Sequence, residues 1–127
     1  MRNTFKAYER LKREQHIDTL FQTGKAFSVF PIKAVHISIT RAGEPSPVRV
    51  GFSVPKKRFS SSVDRHRIRR LMVEAWRLNK QTLYNSVETD KQVQLFLIFT
   101  GDTLPEYTVV EQAVIKVAEK LGELYNA

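Results

Sequence analysis

The stretch from Val63 to Lys80 constrains this chain most, because its apolar and cationic residues separate when they are placed on a helix. Successive residues of an α-helix turn by about 100°. On that wheel one side is apolar and gathers Ile68, Leu71, Met72, Ala75 and Leu78, with Trp76 at its edge. Ser61 or Ser62 can act as the N-cap. The pattern predicts a central helix that packs its apolar side against a core.

The opposite side of this helix is cationic. It gathers His66, Arg69, Arg70, Arg77 and Lys80. Arg65 and Arg67 lie at the two borders of the apolar stripe. Like charges four residues apart on a helix repel by about 0.2–0.5 kcal/mol per pair, so this pattern indicates a polyanionic partner rather than a merely solvated face. Arginine, which dominates here, makes bidentate contacts with phosphate.

The charge of the whole chain is distributed unevenly. Its formal net charge is +8. Residues 41–80 hold eleven Lys and Arg against three acidic residues, whereas residues 81–127 hold three Lys against seven acidic residues. Such asymmetry is typical of a surface for nucleic acid. Charge alone does not separate RNA from DNA, but a strand rather than a helix precedes the central helix, which disfavours a helix-turn-helix DNA reader.

Two further helices are predicted from helical spacing. The first spans about residues 13 to 23, where Ile17, Leu20 and Phe21 share a face and Gly24 provides a stop. The last opens at a capping-box pattern, residues 108–111. Its expected buried stripe is Val110, Val114, Val117, Leu121 and Leu124.

Alternating residues predict three strands, over residues 33–40, 48–54 and 93–99. The turn-rich loop 41–47 joins the first two, so they are expected to pair antiparallel. His36 lies on the more polar side of the first strand and is expected at the surface or in a groove. Together the elements predict an α+β fold of one sheet and packed helices, forming a single domain over residues 1–127.

Several classes of site have no support in the sequence. The chain has no cysteine, no apolar run near the roughly 20 residues of a membrane span, and no secretory pattern after its first residues. Its three histidines lack metal-ligand spacing, and no glycine-rich phosphate loop is present. We therefore expect a cytoplasmic protein with no catalytic residues, metal, cofactor, membrane or small-molecule substrate of its own.

Two segments resemble the bacterial ribonuclease P protein family, whose signature is a strand ending in Lys-Lys, a short loop, and Arg-Asn-Arg opening a basic helix. They are Arg49-Val50-Gly51-Phe52-Ser53-Val54-Pro55-Lys56-Lys57 and Ser62-Val63-Asp64-Arg65-His66-Arg67-Ile68-Arg69-Arg70. Residues 9–12 and 17–25 are similar to the family's opening, so the similarity runs from about Glu9 to Trp76. His66 replaces the family's Asn, and Val73 stands where many relatives have a basic residue.

The resemblance implies a single four-stranded sheet packed with three helices, in the order α-β-β-β-α-β-α, with a left-handed β-α-β crossover through the basic helix. It implies a ribonucleoprotein enzyme that removes the 5′ leader of precursor tRNA, with catalysis by the RNA and Mg²⁺ at the RNA active site. The partners would be ribonuclease P RNA and precursor tRNA.

The same resemblance carries roles onto individual residues. The implied RNA contacts are Lys56, Lys57, Arg65, His66, Arg67, Arg69 and Arg70. The implied leader-cleft residues are Ile17, Phe21 and His36. Core packing is the alternative for Ile17 and Phe21, since stacking on a base needs a ring and Ile17 has none.

Two other functions are compatible with a basic α+β domain. One is a structural RNA-binding protein of the ribosome or its assembly, which would accompany ribosomal particles. The other is a DNA-binding module, which would prefer duplex DNA to structured RNA.

Overall fold

The structure, a computed structural model, describes residues 5–11 and 14–125. Its strands are β1 (Lys25–Val29), β2 (Ile32–Thr40), β3 (Val48–Ser53) and β4 (Lys91–Phe99). Its α-helices are α1 (Glu14–Thr23), α2 (Ser62–Asn79), α3 (Gln81–Ser86) and α4 (Tyr107–Leu124), and a 3-10 turn spans Ala7–Glu9. The strands form one sheet in the order β1-β2-β4-β3. The α+β class is confirmed, with the short helix α3 added to the three expected.

The sheet is mixed, and its pairing differs from the expected hairpin. Strand β2 pairs antiparallel with both β1 and β4, whereas β3 pairs parallel with β4. The expected pairing of β2 with β3 is wrong, because β4 lies between them. A parallel pair needs a crossover connection, and here α2 and α3 provide it. The hand of this crossover stays a prediction of the resemblance.

Strand β4 takes the central position because both of its faces are apolar enough to be buried. Leu95 and Leu97 lie in the core on one face, and Phe96 and Ile98 pack into the core on the other. A strand with two buried faces is most stable in the interior of a sheet, where neighbouring strands also satisfy the backbone hydrogen bonds on both of its edges. The loop between β2 and β3 permits a hairpin, but it does not outweigh this burial.

Strand β1 was not identified from hydrophobic pattern, although the resemblance implied a fourth strand. It has five residues and is largely exposed, so the alternation is weak. Gly24 separates it from α1 and donates its N–H to the Leu20 carbonyl at 2.7 Å. A Cβ at Gly24 would lie 2.4 Å from that same oxygen, which explains why glycine occupies this junction.

Two hydrophobic cores lie on opposite faces of the sheet. In the larger core, α2 and α4 supply Ile68, Met72, Ala75, Trp76, Val110, Ala113, Val114, Val117, Ala118 and Leu121. The smaller core lies beneath α1 and contains Leu11, Leu20 and Val35, with Ile17 and Ile37 packed against it. Within the described residues, no helix is both long and apolar enough to span a bilayer.

The buried stripe of α2 is rotated from the expected one. Trp76, expected at the edge, is fully buried, whereas Leu78, expected in the core, is 42% exposed. The sheet and α4 together determine which side of the helix is covered, and the large indole of Trp76 lies in the core that they share. The N-cap expectation is confirmed, since the Asp64 N–H donates to Ser61 Oγ at 3.4 Å.

The expected start of the last helix is wrong. Helix α4 begins at Tyr107, after Glu106, rather than with a capping box at residues 108–111. The Glu111 carboxylate accepts hydrogen bonds from the Tyr107 hydroxyl at 3.1 Å and from Asn79 Nδ2 at 3.3 Å. Its side chain thus joins α4 to α2. Leu124, expected in the buried stripe, is exposed at the end of the helix.

The rotation of α2 can be tested by measuring the free energy of unfolding of two variants in this helix. Met72→Ala removes a fully buried side chain and should lower the free energy of unfolding by about 2–5 kcal/mol. Leu78→Ala, the matched control in the same helix, should change it by less than about 0.5 kcal/mol. Urea denaturation followed by circular dichroism measures both. Equal losses would show that Leu78 belongs to the core.

Candidate nucleic-acid interface

The outer side of α2 presents four cationic or imidazole side chains to solvent. They are His66, Arg67, Arg69 and Arg70, hereafter the α2 cationic face, and all four are exposed. Burial of Ile68 and Met72 against the sheet fixes the rotation of the helix and therefore the direction of this face. None of the four makes an ion pair with an acidic side chain in the part of the chain that the structure describes. The charges of the three arginines are available to an anionic ligand.

Two further cations expected at the site, Lys56 and Lys57, lie in the turn between β3 and α2, and both are exposed. The turn is folded back by a hydrogen bond of 3.3 Å from the Phe59 N–H to the Pro55 carbonyl. Phe59 itself is buried, with its ring centroid 5.8 Å from that of Phe99. These contacts hold the two lysines close to the first turn of α2.

Arg65 has a structural part in this arrangement. Its guanidinium donates to the carbonyls of Phe59 and Ser60 at 2.8 and 2.9 Å. The Arg65 side chain therefore points to the loop that precedes α2, whereas the side chains of the α2 cationic face are exposed to solvent. Arg77, which the wheel placed on the cationic side of the helix, forms an ion pair with Glu74 at 2.5 Å.

A cleft of about 560 Å³ borders the α2 cationic face. One wall comes from α2 and includes His66, Arg69, Arg70, Val73 and Glu74. The facing parts come from the N-terminal segment, from α1 and from the sheet, and comprise Phe5, Arg10, Leu11, Ile17, Val50, Gly51, Phe52 and Phe96. The cleft thus combines cations with apolar and aromatic surface, the combination that single-stranded nucleic acid requires.

Gly51 keeps the floor of the cleft open. A Cβ at this position would lie 2.6 Å from the Phe96 ring, closer than van der Waals contact permits. Glycine therefore allows the Phe96 ring to lie across β3. The Phe21 ring meets Phe96 edge to face, with centroids 5.3 Å apart.

Of the three residues expected in a leader cleft, the structure places Ile17 in the lining of the cleft and Phe21 beside it, against Phe96. Ile17 lines the cleft while also packing against the smaller core. Phe21 follows one turn later on α1 and is 48% exposed. Ile17 therefore packs against the core while it borders the cleft. Phe21 has the accessible aromatic ring that stacking on a base needs.

His36 does not join them. Of the two places expected for it, the open surface is wrong, and a groove is confirmed, because it lines a separate groove with Phe27 and Tyr125. It is only 3% exposed, and its position in β2 directs it to the face that α4 covers. Its Nδ1 lies 2.6 Å from the Tyr125 hydroxyl, and its ring lies 5.4 Å from that of Phe27. Burial, with the charge of Lys25, holds the pKa of His36 below its ordinary value. The nearby end of α4, which a strand pattern cannot foresee, covers this histidine.

The cleft also contains residues that sequence patterns did not identify, above all Phe5 and Arg10. They belong to a segment that runs beside β3, where the Leu11 N–H donates to the Val50 carbonyl at 3.0 Å. The segment has no periodicity that would have assigned these residues to a site. The only available indication was the similarity of residues 9–12 to the opening of the family.

A buried ion pair fixes this N-terminal segment. Glu9 and Lys80 are both almost fully buried, and Lys80 Nζ lies 2.5 Å from Glu9 Oε1. The Tyr84 hydroxyl donates to the same oxygen at 2.5 Å, and the Lys6 N–H donates to Oε2 at 2.6 Å. Burial alone would raise the pKa of Glu9, but these hydrogen bonds outweigh it and lower the pKa. Glu9 is thus held as a carboxylate.

The described residues contain no group of three or more histidine, aspartate or glutamate side chains that could hold a metal ion. Fold and site together define a small α+β protein with a cationic helix beside an aromatic cleft, an architecture suited to binding nucleic acid.

Comparison with known proteins identifies the family. The ribonuclease P family model matches residues 5–122. The ribonuclease P protein component of Porphyromonas gingivalis strain W83 is 41% identical over 115 residues, covering 85% of this chain and 79% of the relative. The chain belongs to the ribonuclease P protein component family.

Solved structures show the same fold at low sequence identity. The Staphylococcus aureus RNase P protein aligns with a TM-score of 0.70 and 18% identity, covering 95% of this chain and 100% of its own. The Thermotoga maritima RNase P protein aligns with a TM-score of 0.69 and 16% identity, covering 88% of this chain and 96% of its own. The fold is shared where most side chains are not.

The Glu9 network predicts a characteristic loss of stability in acid. Since the folded-state pKa lies below the ordinary 4.5, the unfolded chain binds this proton more readily. The stabilisation is therefore complete above pH 4.5 and disappears as the pH falls through the folded-state pKa. Glu9→Gln should lower the free energy of unfolding at pH 7 by about 3–5 kcal/mol, because it leaves Lys80 buried without its partner.

The same variant should lose less stability than the wild type between pH 5 and pH 3, which urea titrations at each pH measure. Glu119→Gln, at an exposed carboxylate of α4, is the control and should follow the wild-type curve. If Glu9→Gln lost stability in acid as the wild type does, Glu9 would not be the carboxylate whose protonation destabilises the fold.

Proposed function

We propose that this chain is the protein subunit of ribonuclease P, which binds the catalytic RNA and the 5′ leader of precursor tRNA. The observation that carries the proposal is the α2 cationic face, which borders the cleft in a chain of this family. The subunit would promote removal of the leader, giving the mature 5′ end of the tRNA. Ribonuclease P RNA and precursor tRNA are the partners.

The two surfaces would have different tasks. The α2 cationic face, with Lys56 and Lys57, would contact phosphates of folded RNA. The cleft would take the single-stranded leader, with Ile17 and Phe21 at its α1 end. Arg65 would act mainly through the loop that it holds, and His36 has no part in this cleft because it lies on the other face of the sheet.

Catalysis belongs in this proposal to the RNA, with Mg²⁺ at the RNA active site. The contribution of the protein is electrostatic. A cationic surface placed against two polyanions reduces their repulsion and lowers the Mg²⁺ concentration needed to bring them together.

Reconstitution tests the proposal. The full chain, mixed with ribonuclease P RNA from the same genome, should increase cleavage of precursor tRNA at low Mg²⁺, measured as kcat/KM from single-turnover and steady-state assays. The product should carry the mature 5′ end. Absence of any gain in cleavage or substrate affinity would overturn the proposal, and exclusive co-purification with ribosomal particles would favour a ribosomal role.

The α2 cationic face predicts a specific salt dependence. Arg69→Ala should weaken binding to ribonuclease P RNA and reduce the slope of log K against log[salt] by about 0.7–0.9, the value for one lost phosphate contact. Lys116→Ala removes one exposed charge from α4 and is the matched control. Filter binding between 50 and 300 mM KCl gives both slopes. A wild-type slope in Arg69→Ala would show that this side chain does not touch phosphate.

A further inference from the structure

The N-terminal segment Phe5–Leu11 contributes a second cation to the cleft. Arg10 is exposed and lines the cleft that Arg69 and Arg70 border from α2. Its guanidinium carbon lies 5.1 Å from the centroid of the Phe5 ring, and the Phe5 ring meets Phe52 edge to face at 5.9 Å. The cleft therefore has positive charge on two sides and aromatic surface beside one of them.

The position of Arg10 depends on its neighbour Glu9. The Arg10 backbone bridges to Val50 at the outer edge of β3, and the preceding turn is closed by a 3.0 Å hydrogen bond from the Glu9 N–H to the Lys6 carbonyl. Beyond these backbone contacts, the Glu9 carboxylate is the polar group that ties the segment to Lys80 and Tyr84. Lys80 follows the last residue of α2, so the anchor connects the segment to the helix that forms the opposite wall.

We propose that Glu9 is a positioning residue for RNA: anchored by Lys80 and Tyr84, it sets Arg10 and Phe5 as the second wall of a cleft for a single RNA strand. This inference rests on the proposed function. A phosphate in the cleft would lie between Arg10 and the arginines of α2, and the adjacent base would lie against Phe5. A buried ion pair is costly to desolvate, and apolar side chains could equally well attach the segment to the core. The ion pair of Glu9 and Lys80 adds one defined position for Arg10, the residue that follows Glu9.

The test measures binding of the full chain to a fluorescein-labelled oligouridylate by anisotropy, at a temperature well below unfolding. Arg10→Ala should reduce affinity by about tenfold, the factor for one charge-assisted hydrogen bond. It should also reduce the salt slope by about 0.7, the value for one phosphate contact with a single strand. Lys116→Ala is again the charge-matched control. A wild-type affinity in Arg10→Ala would overturn the inference.

A double-mutant cycle separates positioning from stability. Glu9→Gln should weaken binding in the wild-type background and have little further effect in the Arg10→Ala background, because Glu9 acts through Arg10. Equal effects in both backgrounds would reduce Glu9 to a stabilising residue and overturn the inference. Tyr84→Phe removes one donor to Glu9 from outside the cleft while keeping the ion pair. It should weaken binding in the same direction by a smaller factor, and it provides the test if Glu9→Gln does not fold.

The outcome is distinguishable from that of the proposed function. If the wild-type chain supports cleavage in the reconstituted enzyme while Arg10→Ala and Glu9→Gln bind oligouridylate as it does, only the second wall is refuted. If the wild-type chain binds no oligouridylate, the single-strand cleft is refuted. A failure of reconstitution refutes the proposed function itself.

Discussion

The structure depends on the central place of β4, which is paired on both edges and buried on both faces. Because β3 runs parallel to β4, the chain must cross from one end of the sheet to the other between them, and α2 makes most of that crossing. Ile68 and Met72 pack the helix against the sheet, and its cations lie on the opposite, solvent side. The position of the α2 cationic face therefore follows from the pairing of β4, although β4 contributes no residue to that face.

The cleft is a consequence of the same arrangement. It forms where the outer edge of β3 meets the first turns of α2, and the N-terminal segment and α1 close its other sides. An edge strand left bare would offer unpaired backbone groups, but the segment containing Arg10 covers part of this edge. The ion pair between Glu9 and Lys80 holds the segment there. The site thus combines an element fixed by hydrophobic burial with one fixed by a buried charge pair.

Local patterns predicted those features in which local chemistry and tertiary packing agree. The cationic side of α2 was predicted correctly for His66, Arg69 and Arg70, but Lys80, predicted on the same side, is buried. The Ser61 cap and the extents of β2 and β3 were predicted to within a residue or two. The order of strands was not, because a turn-rich loop between β2 and β3 favours a hairpin locally while the burial of β4 decides globally. The wheel likewise placed Leu78 in the core, whereas the shape of the space beneath α2 favours Trp76. The burial of His36 was missed for the same kind of reason, since the element that covers it is distant in sequence.

Local sequence patterns were enough to predict a helix with one cationic side, a mixed set of helices and strands, and the motifs of the family. These properties depend on residues within a few turns of one another, where spacing alone fixes which side chains share a face. The packing of the elements, in contrast, establishes which cations lie at the cleft, which groups Arg65 and Arg77 bind, and that Arg10 faces α2 from the N-terminal segment. Those outcomes depend on contacts between residues as far apart in sequence as Glu9 and Lys80, which only the folded chain brings together in a buried ion pair.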